Sequence, residues 1–346
     1  MSEVRAGAKP AGSLFGLGFG APIRSDLVHR LSALATLFAL IIVFAMMNGA
    51  FLSINNAMTI LLQTAVIGLL GIGLTIVILT GGIDLSVGSV LALSGTAAGL
   101  LVKAGLPVPV GMAGGLIVGT LCGVLNGLVI TKLKIAPFIA TLGMMMIARG
   151  LALHITGASP VSQLGAAFGA LGNGALFRIV ETQPNGLPRM VFPGIPYPAL
   201  LLLAVALFAA YMLRRRQLGR HIYAVGSNEE AARLSGVNVD RTKIAAYALS
   251  GFLAGLAGIV LMSRLVTAQP NEGVMYELDA IAAAVIGGAS LMGGVGSISG
   301  TMIGAFIIGV LRNGLNMAGV SAFIQQIVIG LVVIGAVFVD QLRNRR

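Results

Sequence analysis

Apolar and polar positions along the chain sort into long apolar runs separated by short turns. The runs fall at residues 31–47, 57–79, 85–102, 108–130, 137–155, 197–213, 244–261, 280–291, 298–317 and 323–339. A helix needs about 20 mostly apolar residues to cross a bilayer, whereas a barrel strand reads as about 10 residues of alternating polarity. These runs are continuous, so the pattern predicts an all-α integral membrane protein with about ten transmembrane segments.

The run at 280–291 is too short to cross as a straight helix, and it leads into "GGASLMGGVGSISG", much as "TGGIDLSVG" follows the run at 57–79. Short or glycine-interrupted segments in both halves of a transporter mark broken or re-entrant helices and the paths beside them. Gly81, Gly82, Gly293 and Gly294 are therefore candidate hinges. Glycines also permit close helix packing, and "GLIVG", "GFLAG" and "GTMIG" carry the small-xxx-small spacing for it.

Composition agrees with the pattern. Of the 346 residues 57% are hydrophobic and 10% charged, with mean hydropathy +0.98, against about 25% charged in soluble domains. The formal charge of +11 raises the question of nucleic acid, but its distribution answers it. With the N-terminus inside, ten crossings put sixteen of the 22 lysines and arginines on the cytoplasmic side. That is the positive-inside asymmetry of a membrane protein, with both termini cytoplasmic and no nucleic-acid partner. Cys122, the single cysteine, reads as a packing residue. No cleavable signal is evident, so the first span reads as a retained anchor. The organisation expected is a cytoplasmic tail over 1–23 and one polytopic domain over 24–346, with an external loop at 158–196 and a cytoplasmic loop at 214–243.

Chemistry of other kinds is missing. The chain has no G-x-x-x-x-G-K-[ST] and no H-E-x-x-H, its three histidines are far apart, and "GSISG" does not fit a nucleophile elbow. The mid-span charges reduce to Arg149 and Arg312, too few for a proton-coupled carrier. No catalytic residue and no metal ligand is expected, and the energy source lies outside the chain.

The loop at 214–243 contains "RRRQLGRHIYAVGSNEEAARLSGVNVDRTK". Ser227 or Asn228 reads as an N-cap, Glu229 and Glu230 suit the positive end of a first turn, and Gly236 is placed to stop the helix. Ala231 and Ala232 form a small face able to seat in a groove of another protein.

Glu230 to Gly236 fits E-A-A-x-x-x-G and resembles the coupling loop of permease subunits in bacterial ABC importers. "TGGIDLSVGSVLALSG", "PFIATLGMMMIARG", "LGRHIYAVGSNEEAARLSGVNV" and "AQPNEGVMYELDAIAAAVIGGASLMGGVGSISGTMIGA" together resemble the ribose-type branch of sugar ABC permeases, over nearly the whole chain. The resemblance implies a multi-pass permease of the bacterial inner membrane that moves ribose or a related monosaccharide. It implies a second permease copy, a cytoplasmic ATPase that binds ATP and Mg, and a periplasmic sugar-binding protein, with no cofactor in this chain itself and lipid around it. It places Glu230, Ala231, Ala232 and Gly236 at coupling positions, with Gly219 and Arg220 leading in.

For a neutral sugar, amides and hydroxyls are the expected lining: Gln63, Thr64, Asn126, Asn313 and Asn316. Each is equally suited to an interhelical hydrogen bond. A stand-alone ion-coupled transporter is the rival reading. An intramembrane enzyme would have to use Asp84, His154 and Asp279, which form no recognisable set. Asp84 instead reads as a cap for the N–H groups of Ser86 and Val87 near the cytoplasmic boundary, only lightly desolvated.

Overall fold

The computed structural model describes residues 22–182 and 188–344, so most of the tail expected at 1–23 lies outside the described residues. Five helices come first: α1 (Pro22–Met47), α2 (Ile54–Ile78), α3 (Val87–Lys103), α4 (Val108–Lys132) and α5 (Pro137–Thr156). A small insertion follows, made of α6 (Gly165–Asn173) and the strands β1 (Ala175–Leu176), β2 (Ile179–Thr182), β3 (Pro188–Phe192) and β4 (Ile195–Pro196). Next are α7 (Tyr197–Arg215), two short helices α8 (Gln217–Ser227) and α9 (Glu229–Leu234), and the long α10 (Val239–Leu265). The chain closes with α11 (Tyr276–Ile286), α12 (Ile298–Met317) and α13 (Ala322–Asn344). Among the described residues six helices, α2, α4, α5, α7, α10 and α12, are long and apolar enough to cross a membrane, and α1, α3 and α13 hold shorter apolar stretches.

The core is built on α2 and α10. Apolar residues surround α2 on every side, and 78% of its most apolar stretch is buried, as expected of a helix wrapped by others. α10 packs along α2, α3 and α4. Its approach to α4 is backbone to backbone: a Cβ on Gly119 would lie 2.5 Å from the Gly251 carbonyl oxygen, and one on Gly251 would lie 2.2 Å from that of Gly119. No larger residue fits either place. In contrast, α5 and α7 bury only 22% and 33% of their apolar stretches and leave Ile139, Met146, Leu207 and Phe208 exposed, faces suited to lipid or to another chain.

Three segments differ from the sequence expectation. The region at 158–196 is not simply a loop: Phe168 of α6 is wholly buried against α10, where the Ser263 hydroxyl donates to the Phe168 carbonyl and accepts from the Gly172 N–H. Beyond it β1 pairs with β4, and β2 pairs with β3, both antiparallel. The segment at 280–291 is helical only over 280–286, the last part of α11, whose 11 residues rise about 16 Å, half a bilayer core. The region at 214–243 holds two short helices, and its last residues already belong to α10.

Candidate functional site

The two glycine-rich loops meet at one end of the bundle, and α8 lies across them. Gly226, in the last turn of α8, has no room for a side chain. A Cβ there would sit 1.8 Å from the Leu79 carbonyl oxygen and 2.6 Å from the Gly294 nitrogen. The Gly294 N–H donates to the Leu79 carbonyl at 3.1 Å, and the Tyr223 hydroxyl of α8 donates to the Gly296 carbonyl at 2.8 Å. Gly81 (φ +77°), Gly293 (φ +90°) and Gly294 (φ +71°) all use the left-handed region that glycine adopts without strain. The structure thus brings the four expected hinge glycines together, since a Cβ on Gly293 would lie 2.9 Å from the Gly81 nitrogen. Gly226 was not singled out in the sequence, although "AVGSNEEAA" places it just before the cap.

The expected capped helix is α9, and a further helix, α8, precedes it, the two joined at an extended Asn228 (φ −162°, ψ 106°). Asn228 is the N-cap, accepting from the Ala231 N–H at 2.9 Å, while Ser227 ends α8. Gly236 terminates α9 at φ +83°, with its N–H on the Arg233 carbonyl and that of Val237 on Ala232, a Schellman pairing. Gly219, expected to lead into the motif, is buried in α8. Its missing Cβ would lie 2.3 Å from the Leu213 carbonyl oxygen, so it lets α8 fold back over α7.

Exposure separates the motif residues. Glu230, Ala231 and Gly236 are exposed, as is Arg220. Ala232 is buried with Val225 and Val239, so the small face expected of Ala231 and Ala232 together is half occupied by the protein itself. Leu234, 83% exposed, takes the free position, and Met292 and Val295 are exposed on the adjoining loop. Glu229 instead anchors α9: its carboxylate accepts from Lys243 at 2.6 Å and from Arg233 at 3.2 Å. The hydrogen bond from Lys243 holds Glu229 below the usual carboxylate range.

Asp84 is deeper than expected, at 1% exposure. One carboxylate oxygen accepts from the Ser86 N–H at 3.0 Å and the Ser86 hydroxyl at 2.6 Å, and the other accepts from the Ser250 hydroxyl at 2.8 Å. Its donors are neutral, and the Val87 N–H is not among them. Asn126 completes the cluster by donating to the Ser86 hydroxyl at 2.9 Å, so its amide serves α3–α4 packing. Gly82 approaches from the same loop, its missing Cβ 2.4 Å from the Tyr247 hydroxyl.

The other candidate lining residues are not gathered in one cavity. Thr64 of α2 is buried and lies where a Cβ on Gly309 of α12 would fall, Asn313 is buried in α12, Gln63 is half-buried and Asn316 is exposed. His154 lies on α5, away from Asp84 and Asp279, and Asp279 is held by Arg312. Among the described residues no cluster of His, Cys, Asp and Glu is arranged to hold a metal.

The family described as branched-chain amino acid transport system / permease component matches residues 56–337. The ribose import permease protein RbsC of Escherichia coli K12 is 46% identical over 312 residues, covering 90% of this chain and 94% of that protein. RbsC of Bacillus subtilis 168 is 44% identical, covering 92% and 94%, and the xylose transport system permease protein XylH of E. coli K12 is 36% identical, covering 100% and 98%. A short α11, two glycine loops beneath α8, and similarity along almost the full length converge on one assignment: the chain belongs to this family of transport-system permease components.

Proposed function

We propose that this chain is the membrane subunit of an ATP-driven importer of a pentose, with ribose the first candidate. The observation that carries the reading is the 46% identity to a ribose import permease across 94% of that protein's length. The relatives include permeases named for both ribose and xylose, so a pentose is the common denominator.

The topology that goes with this function has about ten segments crossing or entering the bilayer, α11 being the re-entrant one, and both termini in the cytoplasm. The grouping of Lys132, Lys134, Lys243 and the arginines at 214–241 supports that orientation. α8, α9 and the two glycine loops then face the cytoplasm, where Glu230, Ala231, Leu234 and Met292 form the docking surface for an ATPase that holds ATP and Mg. Nucleotide-driven movement of that partner presses on α8, which lies on both loops through Gly226 and Tyr223. A second permease copy closes the path, a periplasmic binding protein delivers the sugar, and the exposed face of α7 meets lipid.

The test is uptake of labelled ribose and xylose by proteoliposomes containing the chain with its ATPase and binding protein. Uptake should require ATP and survive collapse of the ion gradients. Uptake that ignores ATP and stops with the gradients would instead identify an ion-coupled carrier.

A further inference from the structure

Residues 266–275 join α10 to α11 without regular structure. Val161 and Ala268 exchange two backbone hydrogen bonds, of 2.8 and 2.9 Å, after the end of α10. The chain then passes Arg149 of α5, whose Nη1 donates to the carbonyls of Pro270 and Glu272. At Gly273 (φ +75°) it reaches α3, where only the absence of a side chain on Gly88 admits the Gly273 carbonyl. Arg149 lies about 18 Å from the first residue of α5 and about 10 Å from the last, at 1.5 Å per residue, so this crossing point falls within the apolar layer. Irregular backbone at such depth persists only where protein buries it or where it lines a water-filled cavity.

A cavity of about 440 Å³ opens at that point, bordered by Ser89, Met145, Met146, Arg149, Val274 and Glu277. It reaches the surface of the chain, since Met146 is 70% and Val274 60% exposed. Arg149 and Glu277 both border it yet form no ion pair with each other, although Glu277 is among the acids whose field reaches Arg149. Charged side chains within spans face a bundle interior or a water-filled space, not hydrocarbon. The opposing charges cancel, so the cavity favours neither cations nor anions. A carboxylate accepting, a guanidinium donating in a fork and a hydroxyl doing either match the hydroxyls of a polyol. The volume lies in the range of small-molecule sites.

We infer that this cavity is a station on the translocation path for a neutral monosaccharide, with Arg149, Glu277 and Ser89 meeting its hydroxyls. The inference rests on the proposed sugar import and adds where the sugar passes. It also relocates the lining: α3, α5 and the start of α11 carry it, and none of the five amide and hydroxyl positions expected from the sequence borders this cavity.

The test uses the complete complex with Cys122 replaced by serine. Met146→Cys and Val274→Cys, made singly, should react with a charged, membrane-impermeant thiosulfonate, and ribose under turnover should slow the reaction at least threefold. Leu207→Cys, equally exposed but on α7, should stay unreactive. Glu277→Gln should lower sugar uptake at least tenfold while the loaded binding protein still stimulates ATP hydrolysis. If neither cysteine reacts, with or without nucleotide, in a complex that still imports sugar, the inference fails and the proposed function stands. If both react but neither ribose nor xylose is transported or protects, the aqueous path stands and the pentose reading fails. Should Glu277→Gln not assemble, the two cysteines, which leave both charges in place, decide alone.

Discussion

Asp84 is the most polar group in the loop at 79–88, and its surroundings explain why it needs no basic partner. Two serine hydroxyls and one backbone N–H satisfy it. An asparagine keeps one carbonyl oxygen for Ser86, and the Ser250 hydroxyl turns to accept from the new amide, so Asp84→Asn should fold almost normally. Asp84→Leu leaves three buried donors unpaired, at about 1–3 kcal/mol each. The thermal midpoint of the purified protein should separate the two, with the leucine variant far lower. Gly82→Ala should also destabilise, because its Cβ meets the Tyr247 hydroxyl, and Tyr247→Phe should restore part of the loss. Lack of any rescue in the double variant would show that the strain lies elsewhere. The sequence made the glycines and the bond from the Ser86 N–H to Asp84 legible, but the expected bond from Val87 is not formed, and the depth was hidden because the Ser250 and Asn126 that close over the carboxylate come from α10 and α4.

At the scale of elements, long apolar runs announced the spanning helices well, since unbroken hydropathy over some 20 residues fits a bilayer-crossing helix and little else. What pattern could not reveal was packing that depends on backbone contact. α6 reads as a glycine-rich loop until α10 supplies Ser263 as its partner, and Glu277 reads as an acid near a span end until the fold sets it beside Arg149 of α5 at one cavity. Gly226→Val should lift α8 off both loops. The ATPase should still bind, through the exposed face of α9, but sugar should no longer stimulate ATP hydrolysis. Unchanged stimulation would mean that α8 does not transmit force. The tie between Glu229 and Lys243 should respond to pH in a defined direction. Because the folded state holds the Glu229 carboxyl below its usual value, the tie is complete above about pH 4.3, the ordinary glutamate value, and weakens as pH falls through the lowered one. Hydrogen exchange across α9, corrected for its intrinsic rate, should therefore accelerate on acidification in the native protein and lose that dependence in Glu229→Gln. The effect on global stability should be small, as Glu229 and Arg233 are largely exposed.

For the whole molecule, the fold joins a closely packed frame to a set of short helices and glycine-rich loops. The frame is α2, α3, α4 and α10, joined by close glycine contacts that leave little freedom. Beside it stand α11, the two glycine loops and the pair α8 and α9, which form one continuous chain of contacts from the exposed surface of α9 to the cavity beside Glu277. Leu234 at one end and Glu277 at the other mark its limits. That continuity is what an importer powered from outside requires, and the lack of a phosphate-binding loop in this chain agrees with it. The central claim is that the surface of α9 couples this chain to an ATPase. The most direct measurement is ATP hydrolysis stimulated by the sugar-loaded binding protein, in the reconstituted complex carrying Leu234→Asp with Gly236→Val. The account predicts that stimulation disappears while the permease remains folded in the membrane; stimulation equal to that of the native chain would contradict it.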